Sequence, residues 1–209
     1  MNGFFSRKPD APAAAAAPVT SDVVATSKVF PRFLTVLSQR PAPVLLDLGP
    51  VVGPNIAFFG DRLACKIHVE DLVSDIEAHA RRGERDRLAQ FFAGRLTQED
   101  ESVDGILCWD VFDFLDRAAG LVLARKLVNL VRKGGALYGS FGTTAIDLIN
   151  YSRVTVEAED KLRARPFPAS PVKRHVLLTR DIIKMFDGLT VAESILLKTS
   201  TRETLFRKT

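Results

Sequence analysis

Sulfur and imidazole are scarce in this chain. Its 209 residues include two cysteines, Cys65 and Cys108, and three histidines, His68, His79 and His175. The cysteines form no Cys-x-x-Cys pair and the histidines lie far apart, so no metal site is expected. Two cysteines inside apolar runs read as buried structural thiols, and their number excludes a disulfide framework. No apolar run reaches the roughly 18 to 20 residues a membrane span needs, and the N-terminus lacks the leucine-rich core of a secretory signal. The expectation is a soluble cytoplasmic protein that crosses no membrane. Positive charge is limited as well: the net charge of +4 comes without the dense Lys/Arg stripe of a dedicated nucleic-acid binder. A G-x-G-x-x-G loop is also missing, which disfavours a nicotinamide dinucleotide site.

What remains is a chain long enough for one domain with a well-buried core, plus a little appended material. Residues 1 to 27 are rich in alanine and proline, with Asp10-Ala11-Pro12, five alanines and Pro18. Such a segment buries too little apolar surface to offset its ordering entropy, so a disordered tail is expected there and a folded domain over 28–209. Phe30, Phe33, Leu34 and Leu37 then mark one face of a helix, which Arg40-Pro41-Ala42-Pro43 stops.

The stretch that organises the rest is Val44-Leu45-Leu46-Asp47-Leu48-Gly49-Pro50-Val51-Val52-Gly53-Pro54-Asn55. An apolar run, an acid, a glycine-punctuated loop and a Gly-Pro-Asn helix start read as strand, phosphate-sized loop and helix. A second strand, Ala64 to Val69, ends in Glu70-Asp71. In nucleoside-binding α/β folds an acid about 20 residues beyond the glycine loop accepts hydrogen bonds from ribose hydroxyls. A third strand is not convincing: residues 71 to 96 read as helix, broken at Gly83. The next apolar run, Val103 to Cys108, is a buried strand tipped by Trp109-Asp110. A helix capped by Asp116 and ended by Lys133-Gly134-Gly135 precedes a strand over Ala136 to Phe141. Residues 142 to 178 read as a long, irregular connection. A helix capped by Thr179 follows, and then two β-rich runs, Val191 to Leu197 and Glu203 to Phe206. The short link between them forces an antiparallel pair.

Asp47-x-Gly49-x-x-x-Gly53 resembles the first motif of class I S-adenosylmethionine-dependent methyltransferases, with Val51 standing where that family has its central glycine. Glu70 lies in the register of the family's ribose-binding acid. Trp109-Asp110 resembles its fourth motif, and Leu130-Val131-Arg132-Lys133-Gly134-Gly135-Ala136-Leu137-Tyr138 its post-helix turn. The resemblance implies a doubly wound, Rossmann-like α/β domain whose mostly parallel sheet ends in an antiparallel C-terminal hairpin. It implies S-adenosylmethionine as cofactor, with Asp47, Gly49, Pro50, Gly53, Asn55, Glu70 and Trp109 around it, and methyl transfer as the activity.

No dedicated acid–base pair is visible, and methyl transfer from an activated sulfonium needs little beyond positioning. Asp110 and His175 are the candidates for a catalytic group. Between residues 150 and 180, seven Lys/Arg face three acids, which nudges towards an anionic acceptor. Lipid, small metabolite, protein and nucleic acid all stay open, as does the oligomeric state. The alternative is a methyltransferase-like scaffold that acts through protein contacts. It is suggested by Val51, by the absent third strand, and by the lack of an Asn-Pro-Pro-Tyr acceptor motif.

Overall fold

The computed structural model describes residues 22–167, 169 and 172–209. Its centre is a six-stranded sheet in the order β3-β2-β4-β5-β9-β8. These strands are β2 (Val44–Asp47), β3 (Lys66–Val69), β4 (Val103–Trp109), β5 (Val131–Gly142), β8 (Thr190–Leu196) and β9 (Thr201–Arg207). The first four are mutually parallel, while β9 runs antiparallel to both β5 and β8. This is the expected parallel sheet closed by an antiparallel hairpin. Among the described residues β3 is an edge strand, and the segment where a third strand was sought is helical: α3 (Leu72–Arg81) and α4 (Leu88–Gly94), with the break at Gly83.

Strand alternation sorts the core into two layers. Leu45, Leu107, Trp109, Tyr138 and Leu205 face α1 (Phe30–Leu37) and α2 (Gly53–Leu63), whereas Leu46, Ile106, Cys108, Leu137 and Phe206 face α3, α4, α5 (Arg117–Leu130) and α6 (Thr179–Met185). The i, i+3, i+7 face of α1 is sealed completely, with Phe30, Phe33 and Leu37 wholly buried. Each contributes on the order of 2 kcal/mol.

Four expectations are corrected. Residues 1–21 of the proposed tail lie outside the described residues, but Val23–Thr26 forms strand β1, pairing antiparallel with β7 (Lys161–Pro166). The alanine and proline before it masked a short β-branched run, Val23-Val24-Ala25-Thr26. The 142–178 connection is not irregular throughout: β6 (Ser152–Ala158) and β7 make a hairpin, and with β1 they form a second, three-stranded antiparallel sheet. Helix α5 ends at Leu130, short of the glycine pair, because Val131 already pairs with Val103. Gly134 instead adopts φ +79° at the entry to β5, where its N–H reaches the Lys208 carbonyl, a conformation glycine adopts without strain. Thr179 is the first residue of α6 rather than its cap, which falls on Leu178 and has no side-chain hydrogen bond.

No helix among the described residues is long and apolar enough to cross a membrane.

Candidate functional site

The glycine loop leaves the end of β2, in the middle of the parallel strands and at their C-terminal edge. Open α/β sheets bind ligands at this edge, where the strand order reverses. Asp47, buried at the tip of β2, does not face outward. Its Oδ1 accepts the Gly49 N–H at 2.9 Å and the Trp109 Nε1–H at 2.7 Å. Burial pushes its pKa to about 6, against the two donors, which lower it. Asp47 therefore holds the loop and the indole together.

Trp109 occupies the end of β4 with φ +48°. Its indole stacks on Phe30, meets Tyr138 edge-on, and lies so close to Gly49 that a Cβ there would stand 2.7 Å from Cδ1. The missing side chain at Gly49 makes room for the indole. At Gly53, in the first turn of α2, a Cβ would meet nothing within 4 Å. Pro50 is buried. Val51, which stands where the resembled family has its central glycine, is 57 % exposed, while Val52 is buried.

Glu70 lies just past β3, and its backbone N–H donates to the Asp47 carbonyl at 2.8 Å. Its carboxylate accepts from Arg95 at 2.5 Å on Oε2 and from Gln98 on Oε1. Each carboxylate oxygen has two lone pairs, so each keeps a further acceptor position. Asp71 caps α3 through the Ser74 N–H. Asn55 is engaged elsewhere: its amide donates to the Val154 carbonyl and accepts from the Val156 N–H, both at 2.8 Å, which clips α2 to β6. That accounts for both ends of its amide within the fold.

Beyond Trp109 lies a cavity of about 760 Å³ roofed by β1, β6 and β7 and closed at the side by residues 144–150. Trp109 and Asp110 of the sequence-predicted set line it; Asp47, Gly49, Gly53, Glu70 and His175 do not. Asp110 Oδ2 accepts the Ser152 N–H at 3.1 Å, and its other oxygen is buried without a hydrogen-bond partner. Burial pushes its pKa up to about 6, with the Ser152 bond opposing.

Two further acids of the wall, Asp113 and Glu203, were not singled out from the sequence. Asp113 accepts the Gly142 N–H and pairs with Arg174 at 3.0 Å, and burial lifts its pKa to about 7. Glu203 accepts from Tyr138 and Ser27, both at 2.7 Å, and burial raises its pKa too. The signal for Glu203 was present, since an acid two residues before Leu205 in a strand shares its inward face. His175 is half-buried, with its backbone N–H on the Asp113 carbonyl; burial and Arg85 lower its pKa. Both cysteines are free, and burial raises both thiols, Cys65 to about 11.

The chain matches no protein-family model, and no curated protein sequence matches it. Solved structures do resemble it. A 1,6-didemethyltoxoflavin-N1-methyltransferase from Burkholderia thailandensis superposes with a TM-score of 0.52 at 18 % identity, covering 87 % of this chain and 77 % of its own. A S-adenosylmethionine-dependent methyltransferase from Clostridium acetobutylicum gives 0.51 at 14 %, covering 86 % and 91 %. The CcbJ methyltransferase from Streptomyces caelestis gives 0.50 at 14 %, covering 86 % and 94 %. The chain has the class I S-adenosylmethionine-dependent methyltransferase fold. Within that fold the glycine loop and Glu70 occupy the C-terminal edge of the parallel strands, and Trp109 both touches Gly49 and lines the two-sheet cavity.

Proposed function

We propose that the protein binds S-adenosylmethionine at the glycine loop and transfers its methyl group to a molecule held in the cavity. The observation that carries this reading is the placement of Trp109, which bonds Asp47, touches Gly49 and lines the cavity, so that loop and cavity share one side chain. The residues fit the nucleoside end of the cofactor. The first turn of α2 is open at Gly53, and Glu70 retains acceptor positions for two ribose hydroxyls while Arg95 and Gln98 orient it. S-adenosylmethionine supplies an electrophilic methyl group on a sulfonium, which the lone pair of a nucleophile takes as the carbon–sulfur bond electrons return to sulfur.

The chain's own part is then positioning. Asp47 fixes the loop, Trp109 borders both the loop and the cavity, and the second sheet roofs the cavity. Asp110 is the better candidate for receiving a proton from the acceptor, since it lines the cavity and has a pKa of about 6. His175 is not on that wall. The Burkholderia structure holds a small molecule together with S-adenosylhomocysteine, which agrees with a small-molecule acceptor here. Two unpaired cysteines agree with the reducing environment of the cytoplasm.

A second reading is a scaffold that no longer uses the cofactor. It is favoured by the indole filling the space beside Gly49 and by the Arg95–Glu70 pair. Titration calorimetry with S-adenosylmethionine and S-adenosylhomocysteine separates the two. The proposal expects both to bind the full chain and Glu70→Ala to weaken binding roughly tenfold or more, as loss of a charged hydrogen-bond acceptor does. No binding at millimolar ligand selects the scaffold.

A further inference from the structure

The basic character of residues 150–180 suggests an anionic acceptor, but four of the seven basic side chains there are engaged with acids of the protein itself. Arg163 pairs with Glu157 and Asp22, Lys161 with Glu157, Arg165 with Asp22, and Arg174 with Asp113. Arg153 lies over the Phe167 ring. Of the charged groups that line the cavity, four are carboxylates (Asp110, Asp113, Asp147 and Glu203) and two are guanidiniums (Arg165 and Arg174). Both guanidiniums are paired. Glu203 is held by two hydroxyls, and Asp110 accepts the Ser152 backbone N–H and feels the Arg174 guanidinium, which is itself paired with Asp113. The remaining wall is largely apolar, from Val23, Ile146, Leu148, Val154, Leu162 and Ala164 among others. Among the described residues, an anion entering this space faces more carboxylates than guanidiniums, and both guanidiniums are paired, whereas an ammonium finds the Asp110 Oδ1 acceptor without a protein partner. The volume lies within the range of small-molecule sites, about 300 to 1,000 Å³.

We propose that the cavity binds a predominantly apolar small molecule carrying a basic amine, with the amine on the Asp110–Glu203 side and the apolar body under β1, β6 and β7. Calling that molecule the methyl acceptor rests on the reading above; the binding itself does not.

The test is ligand-detected saturation-transfer NMR on the full chain, without cofactor, using 2-phenylethylamine, its N-acetyl derivative and 3-phenylpropionate as probes. The amine is expected to bind roughly tenfold more tightly than the carboxylate, and Asp110→Asn to remove most of that preference. Filling the cavity by Leu162→Trp or, should that variant fail to fold, by Ala164→Phe, is expected to abolish amine binding while the circular dichroism spectrum stays that of the parent. Carboxylate binding as tight as the amine's, amine binding that survives in the folded filled variant, or no amine binding at millimolar probe would each overturn the proposal. Because no cofactor is present, failure of S-adenosylmethionine to bind in calorimetry leaves this result standing, and the reverse holds too.

Discussion

Trp109 is held from three directions, by the Asp47 carboxylate, the Phe30 ring and the bare backbone of Gly49. A non-glycine residue at φ +48° stores on the order of 1–3 kcal/mol that only such over-determined surroundings sustain. Gly49→Ala places a methyl group 2.7 Å from the indole and is expected to destabilise the fold by about 1–3 kcal/mol, read from urea unfolding. Trp109→Phe keeps a ring but removes one of the two donors to Asp47 Oδ1, so the Asp47 pKa is expected to rise above about 6, measured by carboxyl carbon NMR titration. The sequence identified Asp47, Gly49 and Trp109 as a set because acid, glycine and strand tip stood in a familiar order. It did not reveal that they touch one another, nor that Val51 is exposed, because side-chain direction in a loop follows no period.

At the scale of elements, the three-stranded sheet decides whether the cavity exists, and it was the part least legible beforehand. Val154, Val156, Leu162 and Ala164 do alternate with polar neighbours, as a half-buried hairpin should. The flanking prolines and the many charges drew attention to solvation instead. The long apolar strands and α1 were readable because both their neighbours and their period agree. Asn55 is the fastening between the two sheets' layers, replacing a strand partner for β6 with its amide. Asn55→Leu removes both bonds and leaves two buried backbone groups unpaired, a loss of about 1–3 kcal/mol for each. Hydrogen exchange is expected to quicken in β6, β7 and β1 while β4 and β5 remain protected; equal loss of protection in all five strands would show that the small sheet is no separate unit.

For the whole molecule, the buried acids set the response to pH. Asp47 and Asp110 are raised to about 6 and Asp113 to about 7, chiefly by desolvation, against roughly 3.9 in an unfolded chain. Between these values the native state binds more protons than the unfolded state, so stability falls with rising pH. Their contribution is fully present below the unfolded pKa and is lost as pH passes through 6 to 7. Thermal unfolding is expected at a higher temperature at pH 5.5 than at pH 7.5, and Asp113→Asn should make that slope shallower. A midpoint that climbs from pH 5.5 to 7.5 would mean these acids are hydrated in solution.

Trp109 borders both the glycine loop and the cavity, and the chain has no other tryptophan. Its fluorescence therefore reports that position directly. Titrating S-adenosylhomocysteine into the full chain is predicted to change Trp109 emission saturably, with the midpoint displaced roughly tenfold in Glu70→Ala. Emission that stays constant up to millimolar ligand would contradict it.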